Sequence, residues 1–199
     1  MSTYNISVEN TAITNGISNS TKLLFNHSLD YKDTILDYGA GKLRNAKFLK
    51  KEGFTVDILD TPKQMFHWSA EEISAFHGAW QSIYLHDLFI RHRFSRILCS
   101  FVLNVIPTEQ ERIEVLNNIN VLLKDEGFAY IEVRREKSMM KAKTIESFSD
   151  GFVMGKGNVR TFQKPFSKES FEKLLKQSSL TIKELINYPD SIVAICKKG

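Results

Sequence analysis

Asp37-Tyr38-Gly39-Ala40-Gly41, followed some twenty residues later by Asp60, are the residues of this chain whose types and spacing best suit holding a polar ligand. Ile35 and Leu36 precede the first group, which reads as a short buried strand, a glycine turn, and then a helix over residues 42–51. Glycine has no Cβ, so backbone N–H groups in such a turn come close to a ligand, and the helix N-terminus adds donors of its own. Thr55-Val56-Asp57-Ile58-Leu59-Asp60 reads as the next strand, one βα unit on. An acid at the carboxyl end of that strand is placed to accept hydrogen bonds from ribose hydroxyls.

The glycine pattern excludes two nucleotide sites. A dinucleotide fingerprint beginning at Gly39 requires a third glycine at position 44, where this chain has Arg44. A phosphate-binding loop requires Gly-Lys-Ser/Thr after four spacers, which occurs nowhere in the chain. What remains, Asp37, Gly39 and Gly41 with Asp60 in register, resembles the first motif and partner acid of the class I S-adenosylmethionine-dependent methyltransferases.

The resemblance covers roughly residues 30–197. It implies a three-layer, Rossmann-like α/β fold whose seven-stranded, mainly parallel sheet has an antiparallel last strand. Gly39, Ala40 and Gly41 would line the methionine and ribose part of S-adenosylmethionine, and Asp37 would position that loop or reach the amino group through water. Asp60, with Thr61 beside it, would take the ribose hydroxyls. Asp87, flanked by His86 and Leu88, would accept from the adenine amine; its other reading is a helix N-cap. Ser100 and Phe101 would lie near the cofactor's amino-acid end, Ser100 being otherwise a buried strand hydroxyl. Many family members carry a glycine where this chain has Leu43, which can instead begin the core-facing stripe of the helix.

The elements that must position these residues alternate along the chain, which predicts a mainly parallel sheet. Leu43, Ala46 and Leu49 share one helical face, with Gly53 as the stop. Ser69-Ala70-Glu71-Glu72 has capping-box spacing and is expected to open a helix carrying Ile73, Phe76 and Trp80, with residues 82–85 as the third strand. Residues 96–102 read as the fourth strand. Thr108 caps a helix with Ile113, Leu116, Ile119 and Leu123 at helical spacing, and residues 127–133 read as the fifth strand. An irregular stretch, a helix near 167–177, and two strands at 181–187 and 191–197 complete the pattern. Tyr188-Pro189-Asp190 turns the last pair into a hairpin.

With 199 residues, 42% hydrophobic and 25% charged, the chain is expected to form one domain, residues 31–199 as its core and 1–30 as a lid or tail. No apolar run has the ~18 residues of a membrane span, and Met1-Ser2-Thr3-Tyr4-Asn5 is unlike a signal peptide, so a cytoplasmic location is expected. Cys99 and Cys196 lie in apolar runs as ordinary buried thiols, and no metal site is expected.

Methyl transfer from a sulfonium needs alignment and exclusion of water more than it needs a base. Residues placed to serve the acceptor are His67, His86, Asn104, Tyr130, Glu132, Arg134 and Arg160; Glu132 reads equally as a partner of Arg134 or Arg135. The segment after the fourth strand, residues 100–107, lacks the Asp/Asn-Pro-Pro-aromatic tetrad of amine-methylating nucleic-acid enzymes, and neither cysteine follows a proline. Residues 134–143 hold five positive charges and one negative, an excess equal to the whole chain's net +4. They read as a basic rim for a phosphate-bearing or nucleic-acid substrate, or as a solvated loop. Short segments at Thr11 to Lys22 and Gly151 to Lys164 are similar to those of methyltransferases found beside DNA phosphorothioation genes. The function expected is methyl transfer to a small molecule or nucleic-acid component, the alternative being a non-catalytic module of the same fold.

Overall fold

A computed structural model describes residues 16–27, 29–81, 93–135, 144–156 and 159–199. In chain order the elements are α1 (Asn19–Asn26), β1 (Ile35–Tyr38), α2 (Arg44–Lys51), β2 (Val56–Asp60), α3 (Pro62–Met65), α4 (Ala70–Ser74), β3 (Gly78–Gln81) and β4 (Phe94–Ser100). There follow α5 (Glu109–Leu122), β5 (Leu123–Arg134), β6 (Thr144–Phe148), β7 (Gly151–Lys156), β8 (Val159–Gln163), α6 (Lys168–Lys176), β9 (Leu180–Asn187) and β10 (Ser191–Lys198).

All four residues of β1 are buried, as befits a strand covered on both faces at the middle of a parallel sheet. The seven-stranded sheet has the order β3-β2-β1-β4-β5-β10-β9, and only β10 runs against the rest, wedged antiparallel between β5 and β9. Alternation along the strands divides the core. Leu36, Tyr38, Ile97, Cys99 and Ile131 pack with Leu116 and Ile119 of α5 and Phe171 and Leu175 of α6. Ile35, Ile58, Leu98 and Tyr130 pack on the other face with Leu24 of α1 and Leu43, Ala46 and Leu49 around α2. Three layers result, as the resemblance implies. Cys99 and Cys196 are buried free thiols.

Three expectations are corrected. The first helix begins at Arg44 rather than 42, because Leu43 is its N-cap in the left-handed conformation, φ 61°. The capping box at Ser69 and Glu72 is present, but α4 ends at Ser74, and Trp80 lies on β3, which pairs with β2 from Gly78 onward. Residues 82–85, expected as the third strand, lie outside the described residues. The stretch after β5 is regular where described, a second antiparallel sheet in the order β6-β7-β8.

Within 1–30, the lid-or-tail segment, residues 19–26 form α1, capped by the Ser18 side chain on the Thr21 N–H. The small sheet is anchored from two sides. Arg112 of α5, 1% exposed, donates to Ile106 O at 2.8 Å and pairs with Asp150 in the β6–β7 turn. Asn104, fully buried, donates to Lys164 O at 2.6 Å, accepts the Lys164 N–H on its own carbonyl at 2.6 Å, and accepts the Arg134 N–H on Oδ1 at 3.0 Å. One side chain therefore ties the end of β5 and the end of β8 to the loop after β4.

Candidate active site

The chain leaves β1 through a loop in which every second residue, from 39 to 43, is left-handed. Gly39 has φ +72°, Gly41 φ +53° and Leu43 φ +61°. A Cβ on Gly39 would lie 2.3 Å from Val102 Cγ2, so only glycine lets the loop pass the end of β4. Gly41 is held at both ends. Its N–H donates to Asp60 Oδ2 at 2.7 Å, and its carbonyl accepts from Trp68 Nε1 at 2.7 Å and Gln64 Nε2 at 3.0 Å. Asp60 also accepts the Thr61 N–H at 2.8 Å. Thr61 caps α3, whose first turn thereby places Gln64 under the loop. The acid at the end of β2 is thus part of the machinery that shapes the glycine turn.

Asp37, 1% exposed, faces α2 and accepts the Ala46 N–H on Oδ2 at 3.2 Å. Burial pushes its carboxyl up to about 7, with Arg44 and the Ala46 N–H opposing that shift and Asp60 adding to it. Tyr38 holds its phenolic proton well above the usual range, again through burial.

A cavity of about 440 Å³ opens at the carboxyl ends of β1, β2 and β4, where open α/β sheets hold ligands. The structure brings seven of the expected residues together on its wall: Gly39, Ala40, Gly41, Asp60, Thr61, Ser100 and Phe101. Asp37 stands behind the loop. His86, Asp87 and Leu88, expected at the adenine, lie outside the described residues, as does all of the basic segment beyond Arg135.

Of the residues considered for the acceptor, Arg134 lines the cavity. Asn104 is a structural tie. Tyr130 is buried in the core on the α1–α2 face, and His67 is exposed beyond α3. Arg160 lies on β8. Glu132 is fully buried, and its Oε2 accepts the Ser20 N–H at 2.8 Å, so this carboxylate seats the first turn of α1 rather than serving as a strand-end partner for Arg135; its Oε1 has no hydrogen-bond partner among the described residues. Ser18, Ser20 and Ser100 bring their hydroxyls within 2.8–3.0 Å of one another, and Asn45 Nδ2 donates to Ser100 at 3.3 Å. Ser100 is therefore both a cavity residue and a buried, bonded strand hydroxyl.

Sequence reasoning missed Gln64, Trp68, Asn45 and Ser20. A signal existed for Gln64, three residues after a Thr-Pro helix start, and for Asn45, a polar residue on the buried face of α2. Ser20 meets Glu132 across 112 residues and leaves no local trace.

Fold and loop together define a Rossmann-like α/β domain with a cavity at the ends of β1, β2 and β4. The chain belongs to the methyltransferase domain family, whose model matches residues 15–185. It is an S-adenosylmethionine-dependent methyltransferase. The fold is similar to that of the PH0226 protein of Pyrococcus horikoshii (TM-score 0.73, 16% identity, 89% of this chain and 87% of that one). It is also similar to a 1,6-didemethyltoxoflavin-N1-methyltransferase of Burkholderia thailandensis, solved with 1,6-didemethyltoxoflavin and S-adenosylhomocysteine (0.64, 19%, 90% and 76%). A third similar structure is the CcbJ methyltransferase of Streptomyces caelestis (0.67, 14%, 90% and 89%). No curated protein matches the chain. These matches carry the broad family and add no support to the phosphorothioation resemblance. Among the described residues no helix is long and apolar enough to cross a membrane.

Proposed function

We propose that S-adenosylmethionine is held by Gly39, Ala40 and Gly41 against its methionine and ribose part, with Asp60 and Thr61 at the ribose hydroxyls and Ser100 and Phe101 toward the amino-acid end. Asp37 supports the loop from behind. The observation that carries this reading is the double hold on Gly41, which fixes the turn that opens onto the cavity while Asp60 faces the same space. The fit is good on two counts: a Cβ at Gly39 has no room, and the cavity is of the size that small ligands fill. His86, Asp87 and Leu88 keep their assignment to the adenine as part of this proposal.

The cofactor supplies a methyl group already activated on a sulfonium. The chain aligns the reactants and keeps water out, and Val102, Val105, Ile106 and Pro107 give the cavity an apolar wall for that purpose. Of the ionisable groups on the wall, Tyr38 retains its proton, Asp60 accepts two backbone N–H groups, and Glu111 accepts the Thr108 hydroxyl at 2.6 Å. Glu114 is a further carboxylate on the wall, and among the described residues we assign no general base to the acceptor. We read that acceptor as a small molecule, since the cavity is walled by the 101–107 loop and Gln163 of β8 and the tetrad for an extruded base is missing. The chain works as one domain in this reading, with α1, seated on Glu132, as the part of the N-terminal segment that closes on the site.

Asp60→Ala is expected to weaken S-adenosylhomocysteine binding by about 1–3 kcal/mol, through loss of charge-assisted hydrogen bonds and a loosened Gly41. Calorimetry on the folded variant checks this, and unchanged affinity removes Asp60 from the ribose. Trp68→Phe takes away one of the two donors to the Gly41 carbonyl while Gln64 keeps the other. A stability loss of about 1 kcal/mol and a fall in affinity of a few fold are expected. If wild-type protein binds neither S-adenosylmethionine nor its demethylated product, the cavity reading fails and a cofactor-free role of the same fold takes its place.

A further inference from the structure

We infer that Gln163 reads the methyl acceptor through its side-chain amide, and that the acceptor presents there a neutral edge with a donor and an acceptor side by side, as a lactam or a carboxamide does. The inference rests on the cofactor reading above and concerns the part of the same cavity that the last residue of β8 lines beside the 101–107 loop.

The backbone of Gln163 is fixed from two sides. It lies opposite Phe152 in the β7–β8 ladder. The next residue, Lys164, donates its N–H to the Asn104 carbonyl and accepts from Asn104 Nδ2, each at 2.6 Å. Side chains alternate along a strand, so Phe162 turns into the small sheet's buried face, 0% exposed, and Gln163, half-buried, turns to the cavity. The Arg112–Asp150 pair holds the far turn of the same sheet to α5. A recognition group on such a rigid support is placed before the ligand arrives, so little ordering is left to oppose binding.

The other neutral amides and hydroxyls on the wall are engaged within the protein. Asn45 accepts the Ser18 N–H at 3.1 Å and donates to Ser100, which also bonds Ser18 and Ser20. Thr61 caps α3, Gln64 donates to the Gly41 carbonyl, and Asn118 bonds the Tyr38 phenol. The Gln163 amide has no hydrogen-bond partner among the described residues, and it stands on the wall that Val102, Val105, Ile106 and Pro107 make apolar. Arg44 and Arg134 flank Phe101, their guanidinium carbons 5.6 and 4.7 Å from its ring centroid, where the reading above puts the cofactor's amino-acid end. An amide offers an N–H donor and a carbonyl acceptor about one bond angle apart, and a lactam or carboxamide edge satisfies both at once. A ligand that covers Gln163 without such an edge leaves both groups unmade, and that penalty is what sorts acceptors of similar shape.

The test is calorimetry on protein saturated with S-adenosylhomocysteine. The probes are 2-pyridone, whose ring carries an N–H beside a C=O, N-methyl-2-pyridone, which keeps the ring and the carbonyl but not the donor, and benzoate. Wild-type protein is expected to bind 2-pyridone about tenfold or more tightly than its N-methyl derivative, and Gln163→Leu to bring the two within about threefold by weakening 2-pyridone. Gln163→Met replaces the leucine variant if that one does not fold, and the wild-type comparison needs no variant. S-adenosylhomocysteine affinity should stay within about twofold in the variant, which also shows that it is folded. No binding of 2-pyridone, equal binding of the two pyridones, or discrimination that survives the loss of the amide overturns the inference. Benzoate bound more tightly than 2-pyridone overturns it too, because a cationic group on the wall then selects the acceptor. Failure of wild-type protein to bind S-adenosylhomocysteine overturns the cofactor reading instead.

Discussion

Gly39→Ala is expected to abolish useful cofactor binding and to destabilise the protein markedly. Two costs combine at this position. A non-glycine residue at φ +72° gives up about 1–3 kcal/mol, and the new methyl group, 2.3 Å from Val102 Cγ2, adds an overpacking cost of about 1–3 kcal/mol. Valine is stiff about χ1, so Val102 yields only by turning into the cavity that the ligand needs. Against a total stability of about 5–15 kcal/mol, such a loss is visible in any denaturation curve. Gly53→Ala is the matching control. Its φ of +92° carries the backbone cost, but its Cβ meets only Tyr31 at 3.4 Å, and Gly53 is not on the cavity wall. The expected pattern is a stability loss in both variants and a rise in the dissociation constant for S-adenosylhomocysteine, by about tenfold or more, in Gly39→Ala alone. Equal affinities in the two variants would remove the glycine turn from the cofactor site.

The features legible in the sequence were those decided by neighbours in the chain. A strand that runs into Gly-Ala-Gly, an acid at the end of the next strand, and Ser or Thr three residues before Glu each announce their geometry locally, and β1, the Gly39–Gly41 turn and the caps of α4 and α5 are where those patterns placed them. Leu43 shows where local reasoning stops. The left-handed region disfavours leucine by roughly 1–2 kcal/mol, yet its side chain is fully buried on the α2 face of the core, and burying a leucine yields about 1.5–3 kcal/mol. Packing therefore decides, and the helix starts two residues later than its apolar stripe suggests. Ile73, Phe76 and Trp80 imitate a helical face, but Gly78 onward finds the open edge of β2, and sheet pairing takes the last of them. The β6–β7–β8 sheet is legible only through pairing between segments, and the Glu132–Ser20 bond spans more than half the chain. Long-range partners of this kind leave polar residues in buried positions, the one trace a sequence keeps of them.

Asp37 should make both stability and cofactor affinity depend on pH, in opposite directions. In the unfolded chain this carboxyl titrates near 3.8, and in the folded protein burial holds it up to about 7. The folded state thus binds the proton more tightly between those values. The stabilisation is complete below the unfolded value and is lost as pH rises through about 7, a change of up to about 4 kcal/mol. Asp37→Asn keeps an acceptor for the Ala46 N–H and removes the titration, so its stability relative to wild type should improve between pH 5 and pH 8, read from urea midpoints at each pH. Affinity should run the other way. A ligand bearing a sulfonium and an ammonium favours the ionised carboxylate, so binding at pH 6 expels the Asp37 proton, and wild-type affinity should climb by up to about tenfold per pH unit toward pH 7 and then level off. Calorimetry in two buffers of different ionisation heat counts that proton directly. Release in wild type and none in Asp37→Asn is the expected pair of results. Equal proton counts in the two proteins would mean that Asp37 does not change its charge when the ligand binds, and would leave the carboxylate as a tie for α2 alone.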